Sequence, residues 1–285
     1  MSVFTGLLFA VLASLSWGSV DALRKALAER ITPLALATLF AVGKVPGFLI
    51  WAIFDGSWDV PHEYILPGLG VVVTALVASI LILWALRISP LSSSIPMLSL
   101  TPAFAALIAF FLLGETPSGL QLLGIGVVVM GAFLLNSGEG STDRRGWAEP
   151  GMWMMVAVAA LWAASLTLDK VAMQYTDAAT HGVVHQAVIA LILIGIVGWK
   201  GQSKMLRQVN EVRGLFLAAI VLATLATAFQ LLAVKTVLVS VVETIKRFVG
   251  LSMSVINGRV FFGEKITRRK LVAIGWMTLG VFLLI

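Results

Sequence analysis

Ionisable side chains inside long apolar segments are the residues of this sequence best suited to chemistry. The clearest group is Glu243, Lys246 and Arg247, which lie in the apolar segment Val237–Phe262. Spacings of three and four residues place all three on one face of a helix. Two cations against one carboxylate leave one positive charge in excess. The excess charge favours an anion as its partner, from another helix or from a bound substrate; the alternative is an internal salt bridge that fixes helix packing.

Two further groups carry polar chemistry in apolar surroundings. Lys44 lies midway along the second apolar segment, beside Pro46 and Gly47, where a broken helix could open onto a cavity. It either lines that cavity or extends towards the membrane surface. His181 and His185 are one helical turn apart, a spacing that suits a metal, but the sequence offers no evident third ligand. His185 is therefore a candidate cavity residue or proton carrier, with plain packing as the alternative.

Two tryptophans and two glutamates recur at equivalent positions. Trp17 and Trp162 lie well inside their apolar segments, where they either stack on a substrate or pack against helices. Glu115 and Glu264 end apolar segments just before the next helix, which predicts capping and turn formation.

Asp21 and Asp169 each lie near a lysine, Lys25 and Lys170, at the end of an apolar segment. This arrangement predicts ion pairs at the membrane interface. A phosphate-binding glycine loop, a metal-ligand set and a pair of closely spaced carboxylates are all lacking, so we expect neither an enzyme nor a cofactor.

The elements that position these residues are transmembrane helices. Hydrophobic residues make up 59% of the 285 positions and charged residues 12%, where a soluble domain carries about 25% charged residues. The sequence predicts an all-α polytopic membrane protein of ten transmembrane helices. The predicted spans are Phe4–Leu23, Leu34–Phe54, Ile65–Leu86, Leu91–Leu113, Leu120–Asn136, Gly151–Leu168, Ala178–Trp199, Gly214–Val234, Val237–Phe262 and Leu271–Ile285.

The ten segments form two similar halves. Residues 1–140 are the first five-helix repeat, 141–150 a linker and 151–285 the second repeat. An odd number of spans per half predicts that the halves are inverted relative to each other. The matching positions, at an offset of 145, are Gly6 with Gly151, Trp17 with Trp162 and Lys25 with Lys170; Leu113-Gly114-Glu115 also matches Phe262-Gly263-Glu264.

Loop charges predict the orientation. Odd-numbered loops carry 14 Lys and Arg residues and even-numbered loops carry 2. The positive-inside rule places the odd loops in the cytoplasm and both termini outside, in a cell membrane. This membrane topology also explains the net charge of +6, so no nucleic-acid partner is expected.

The Trp17-Gly18 region, the Gly-Glu turns at Glu115 and Glu264 and the small residues of the last span in each half resemble the drug/metabolite transporter superfamily. The specific resemblance is to the ten-helix type with two EamA-like repeats, over nearly the whole chain. It implies a solute carrier with a central cavity and alternating access. Members are usually drawn with cytoplasmic termini, so either this chain sits the other way up or its loop charges mislead.

The segment Thr244-Ile245-Lys246-Arg247 resembles the ninth helix of the triose-phosphate and sugar-phosphate transporter branch, where such a pair contacts phosphate. We therefore expect a secondary transporter of a small anionic or zwitterionic metabolite, embedded in a lipid bilayer. The alternative is an exporter of amino acids or amphipathic drugs that are recognised by Trp17, Trp162 and His185; a channel is the alternative class. Transport is driven either by protons, with Glu243 or His185 as the titrating group, or by exchange for a counter-substrate.

Overall fold

Ten α-helices make up most of the computed structural model, which describes residues 2–88, 95–136, 150–262 and 268–284. Within these residues there is no β-strand, and 3₁₀-helices at Ile95–Leu100 and Ser203–Val212 precede two of the α-helices. The α-helices are α1 Val3–Ala28, α2 Pro33–Asp55, α3 His62–Ile88, α4 Thr101–Leu113, α5 Gly119–Asn136, α6 Pro150–Ala172, α7 Ala178–Trp199, α8 Arg213–Val234, α9 Val239–Phe262 and α10 Arg268–Phe282.

Length and composition suit most of these helices to a membrane. Six stretches of the described residues are long and apolar enough to span one, and α4, α5 and α10 contain shorter apolar stretches. The outer surface carries large apolar side chains such as Leu66, Phe111 and Trp199, each more than 70% exposed. So much exposed apolar surface is unfavourable in water and favourable in lipid. The prediction of an all-helical polytopic membrane protein is confirmed.

For the fourth span the sequence predicted one continuous segment over Leu91–Leu113, but the α-helix does not cover it all. Its α-helical part begins only at Thr101, after the first 3₁₀-helix. Pro102 has no N–H to donate to the carbonyl of Leu98, four residues earlier. The Thr101 hydroxyl donates to that carbonyl instead, at 2.6 Å. This hydrogen bond satisfies the buried carbonyl and fixes the position of the Thr101 hydroxyl.

The second span shows the opposite outcome. Pro46 and Gly47 marked the position beside Lys44 as one where a broken helix could open, but α2 is one helix from Pro33 to Asp55. A proline inside a membrane helix is tolerated when neighbouring groups compensate for its missing N–H.

Helix packing pairs each half of the chain with the other. Helix α1 packs on α8, and the corresponding helix of the second half, α6, packs on α3. In the same way α1 contacts α9 and α6 contacts α4, while α2 pairs with α7, α4 with α9 and α5 with α10. If each of the first five helices is exchanged with its counterpart five helices later, the same helix pairs result. At the α5–α10 contact, a Cβ on Gly124 would lie 2.6 Å from the carbonyl oxygen of Gly280, so the two backbones touch.

One end of the helix bundle is held by polar contacts between the halves. We call it the even end; its connecting segments are 56–61, 114–118, 173–177 and 235–238. Here the carboxylate of Asp177 accepts hydrogen bonds from the N–H and the hydroxyl of Ser57, both at 2.7 Å. Lys170 Nζ lies 2.6 Å from Glu115 Oε1, and the other oxygen of Glu115 accepts from the N–H of Val239 at 2.8 Å. Glu115 therefore caps α9, a helix of the other half, and not the helix that follows it in sequence.

The opposite end, which we call the odd end, includes segments 29–32 and 200–212. The N–H of Thr32 donates to Gln208 Oε1 at 3.0 Å, and Arg269 Nε donates to the carbonyl of Leu134 at 2.9 Å. Within the described ranges, the polar contacts between connecting segments join even segments to even ones or odd to odd. The ends of the helices thus alternate between the two ends of the bundle along the chain.

Candidate functional site

The three ionisable residues of α9 share one face of that helix, as predicted, and face the centre of the bundle. Glu243 is fully buried, and Lys246 contacts its carboxylate. Lys246 Nζ also donates to Gln230 Oε1 of α8 at 3.3 Å, and the Lys246 side chain keeps 24% exposure. Lys246 is therefore both charge-paired and hydrogen-bonded.

Gln230 connects this group to the first helix. Its Oε1 also accepts from Nε1 of Trp17, at 3.1 Å. Gln230 was not among the predicted site residues; the signal that could have indicated it is an amide side chain within an otherwise apolar segment. Trp17 and Lys246 thus share one acceptor, which holds the indole beside the ammonium group.

Arg247 lies on the same face of α9 as Lys246, but its side chain contacts α4 and α6. Its Nη2 donates to Thr101 Oγ1 at 2.9 Å, at the start of α4. Its guanidinium carbon lies 5.8 Å from the centre of the Trp162 ring, within range of a cation–π contact. None of the salt bridges in the described part of the chain includes Arg247.

Several buried polar atoms of α9 have no hydrogen-bond partner among the described residues. They are Arg247 Nε, Glu243 Oε2, Ser240 Oγ and Ser252 Oγ. Buried polar atoms are nearly always paired, because an unpaired one costs about 1–3 kcal/mol. A helix that carries four of them has unused capacity for a polar ligand or water.

Asp21 and Arg24 extend the charged region along α1. Asp21 is close to Arg24, at 3.6 Å, and the side chain of its predicted partner Lys25 lies outside the described residues. The guanidinium carbon of Arg24 lies 5.2 Å from the Trp17 ring centre. The Asp21 side chain is 69% exposed, so the structure shows it in an exposed ion pair with Arg24.

A second polar cluster lies nearer the even end. His181 Nδ1 is 2.9 Å from the Tyr64 hydroxyl, and His181 Nε2 is 2.9 Å from Asp169 Oδ1. His181, Asp169 and Tyr64 are all buried. The predicted pairing of Asp169 with Lys170 is wrong, since Lys170 turns to Glu115. Adjacent residues on a helix point in different directions, so Asp169 of α6 points towards His181 while Lys170 points towards Glu115.

His185 belongs to this second cluster, and Lys44 lies near it. The His185 ring stacks on that of His181, with centres 5.7 Å apart and planes 13° apart. His185 Nε2 is buried and has no hydrogen-bond partner among the described residues. The charge of Lys44 interacts with Asp169 and with His185. Of the residues predicted to form one site, contacts join Trp17, Trp162, Glu243, Lys246 and Arg247. His185 lies with His181, and the charge of Lys44 interacts with Arg24 as well as with Asp169.

The histidine pair does have a third polar neighbour, contrary to the sequence-based expectation. Ligand atoms of Asp169, His181 and His185 all lie within 4.8 Å of one another. Both ring nitrogens of His181 are already in hydrogen bonds, with Asp169 and Tyr64. We therefore do not assign these residues as metal ligands.

Two surface concavities lie away from both clusters. One, of about 560 Å³, is at the even end and is lined in part by Glu115 and Lys170. The other, of about 580 Å³, is at the odd end beside Glu29 and Arg30. The α9 group is thus a polar layer between helices and is part of neither concavity.

The fold and these buried charges define an all-helical polytopic membrane protein with ionisable groups in its interior. Residues 4–137 and 149–285 each match the EamA-like transporter family, and the chain belongs to that family. Membership identifies the protein as a membrane transporter of small solutes. No curated protein matches the sequence. A crystal structure of a protein with 15% sequence identity is similar in fold, with a TM-score of 0.74 over 99% of this chain and 96% of that chain.

Proposed function

We propose that this protein is a secondary transporter of a small anionic or zwitterionic metabolite, whose anionic group binds Lys246 and Arg247. The observation that carries the proposal is the state of Arg247, a cation inside the bundle that forms no salt bridge with the described residues and has an unpaired Nε among them. A charge in the membrane interior is costly and usually marks a substrate or ion pathway. The flat guanidinium offers two parallel donors to a carboxylate or phosphate, and Lys246 adds a point charge beside it.

The neighbouring groups fit such a substrate. Glu243 neutralises Lys246, and its second oxygen has no hydrogen-bond partner in the part of the chain that the structure describes. That oxygen can accept hydrogen bonds from the ammonium group of a zwitterion, while Arg247 binds the carboxylate. Trp17 and Trp162, next to Lys246 and Arg247, supply ring faces for the remainder of the molecule. The Lys-Arg pair resembles the pair in the ninth helix of sugar-phosphate carriers, which supports an anionic group with two or more oxygens, such as a phosphate or a carboxylate.

Alternating access is supported by the relation between the two halves. The helix pairs are reciprocal, and the EamA family matches twice, over 4–137 and 149–285. Helix α1 begins at the even end and α6 at the odd end, as inverted repeats require. We assign residues 1–140 and 151–285 as the halves and 141–150 as their linker. The change of helix type at Thr101, next to Arg247, resembles the discontinuous helices that form binding sites in other carriers.

Loop charge supports an orientation with both termini and the even end outside the cell membrane. The chain contains no cysteine, so a single introduced thiol can be labelled without background. In intact cells, Glu63→Cys at the even end should react with a membrane-impermeant maleimide, and Glu29→Cys at the odd end should not. Both positions are exposed. The reverse pattern would place the termini in the cytoplasm.

Uptake into proteoliposomes tests the anion site. The probes are inorganic phosphate, a three-carbon phosphate ester, a four-carbon dicarboxylate and a zwitterionic amino acid. For the probe that is transported, Lys246→Ala and Arg247→Ala should each reduce uptake about 10- to 100-fold, the effect of losing a charged hydrogen bond. Arg213→Ala is the control, because Arg213 is an exposed arginine bound to Asn210 at the odd end. Undiminished uptake by both α9 variants would contradict the proposal.

The tryptophans carry the alternative, an exporter of amino acids or amphipathic drugs. Both indoles lie beside the α9 charges, where they could stack on an aromatic or apolar solute. In that case Trp17→Ala and Trp162→Ala should reduce transport more than Lys246→Ala does. Neutral or cationic solutes should then compete with the probe.

A further inference from the structure

The buried cluster around His181 takes no part in the anion site, although it holds several groups that can exchange a proton. We propose that Asp169, His181 and His185 bind and release one proton in each transport cycle, so that the protein moves a proton together with its anion. The coupling to the anion rests on the function proposed above, whereas proton binding by the cluster does not.

The hydrogen bonds around His181 allow a proton to be added without moving a heavy atom. With His181 neutral, Nε2–H donates to the carboxylate of Asp169 and Nδ1 accepts from the hydroxyl of Tyr64; both distances are 2.9 Å. When a proton binds at Nδ1, the ring becomes an imidazolium beside a carboxylate, and the Tyr64 oxygen changes from donor to acceptor. The step consumes one proton and makes or breaks no other covalent bond.

His185 offers a second position for the proton, one helical turn from His181 and deeper in the bundle. Its ring lies parallel to that of His181, with centres 5.7 Å apart. Its buried Nε2 has no hydrogen-bond partner among the described residues, and its Nδ1 has only the side-chain nitrogen of Gln186, at 3.4 Å, so protonating this ring breaks no strong hydrogen bond. Two imidazolium rings at this distance repel each other. The pair therefore takes up one proton and not two, and the proton can pass inwards from His181 to His185.

The charges that face the cluster determine how protonation affects the anion site. Helix α2 contributes Lys44, α3 contributes Tyr64 and α6 contributes Asp169, whereas the ionisable residue of α8, Arg213, lies at the far end of that helix. Arg24 of α1 interacts in turn with Lys44.

One added proton makes the cluster more positive by one charge, in a region of low dielectric constant where charges interact strongly. A negative charge at Arg247 offsets it, so the proton and the anion bind more tightly together than apart. The two therefore travel in the same direction.

Proton binding is tested without any substrate, by electrical recording from proteoliposomes adsorbed on a solid support. A rapid pH step should produce a transient charge displacement in the wild-type protein. His181→Gln and Asp169→Asn should reduce it at least about tenfold, and Tyr64→Phe, which removes the bond to Nδ1, should shift its pH midpoint and leave its size intact. His62→Gln is the matched control, because His62 is an exposed histidine at the start of α3.

Each variant is checked for folding by its elution profile and melting temperature. If His181→Gln fails to fold, His185→Gln takes its place, and it should alter the midpoint or the size of the displacement. The proton site is refuted if the wild type shows no displacement, or if His181→Gln and Asp169→Asn keep it in full. Binding of Zn²⁺ that is lost in His181→Gln and kept in His62→Gln, with no displacement by protons, would make the cluster a metal site instead.

Coupling is tested with the probe anion and a pH dye inside the vesicles. Uptake should acidify the interior in the wild type and leave it unchanged in Asp169→Asn. Alkalinisation would overturn transport in the same direction. Failure of the anion site appears as full uptake by the Lys246 and Arg247 variants, and failure of the proton site as a missing substrate-free displacement, so the two outcomes are distinct.

Discussion

Asp177 holds the even end together and gives a sharp test of how the two halves are joined there. Its Oδ1 accepts from the N–H groups of Ala179 and Thr180, at 2.9 and 2.8 Å, and so caps α7. Its Oδ2 accepts from the Thr180 hydroxyl and from both the N–H and the hydroxyl of Ser57, each at 2.7 Å. Asp177→Asn should keep the cap and lose the link to the other half, because an amide nitrogen then faces the N–H of Ser57.

The size of the effect follows from the bonds that are lost. Hydroxyl groups can rotate to accept from the new amide, but the backbone N–H of Ser57 cannot. A hydrogen bond to a charged acceptor contributes about 1.5–3 kcal/mol, and partial exposure places this one near the lower limit. The melting temperature changes by about 2–4 °C per kcal/mol in proteins of 150–250 residues and by less in larger ones, so Asp177→Asn should melt roughly 3 °C lower. Asp177→Ala also removes the cap and should lose about 1 kcal/mol more.

The pH dependence of this effect has a definite sign. Partial burial alone would raise the pKa of Asp177, but the hydrogen bonds from Thr180 and Ser57 outweigh it and hold that pKa well below its usual range. A carboxyl group with a lowered native pKa stabilises the fold above its unfolded pKa of about 3.9. The stabilisation is lost as the pH falls through the native value. The difference in melting temperature between wild type and Asp177→Asn should therefore be constant from neutral pH to about pH 5 and shrink only in stronger acid.

The measurement is thermal unfolding of the purified protein in detergent, followed by circular dichroism. Asp55→Asn is the control, because Asp55 lies at the same end and accepts a single exposed bond from Trp51 at 3.2 Å. It should change the melting temperature little. Equal melting of wild type and Asp177→Asn at neutral pH, or an equal loss in Asp55→Asn, would refute the reasoning.

Two further substitutions test contacts inside the bundle. Gly124→Ala places a Cβ 2.6 Å from the backbone oxygen of Gly280 and should cost about 1–3 kcal/mol, whereas Gly126→Ala meets open space and should be neutral or stabilising; thermal melts compare them. Thr101→Val removes the hydroxyl that binds Arg247 and should slow probe uptake about tenfold, and Thr101→Ser should not. Equal melting of the two glycine variants, or equal uptake by the two threonine variants, would contradict these expectations.

The sequence predicted best those features that depend on local spacing. Apolar stretches located the ten helices, and the intervals between Glu243, Lys246 and Arg247 correctly placed them on one face. Proline was a poorer guide, because its effect depends on the groups around it. Pro46 lies within a continuous α2, whereas the helix type changes near Pro102, where a neighbouring hydroxyl satisfies the freed carbonyl.

Contacts between distant segments could not be predicted from one sequence. Trp17 and Gln230 are 213 positions apart, and no local pattern indicates that they share a hydrogen bond. For Asp169, the adjacent Lys170 suggested an ion pair, but neighbours on a helix point about 100° apart, and the two side chains find different partners. The grouping of His185 with Asp169, and not with Lys246, depends in the same way on helix packing.

The reciprocal pairing of helices also has a consequence for biosynthesis. Helix α1 packs mainly on α8, which leaves the ribosome about 200 residues later, a delay of roughly 10–40 s at usual rates of translation. During that interval α1 lies in the membrane while Trp17 lacks its acceptor Gln230. The first five helices cannot complete these contacts by themselves, so we expect lipid headgroups or the insertion machinery to shield the indole N–H until α8 arrives. A chain truncated after the first half should therefore be a target for membrane quality control, even though every one of its helices is intact.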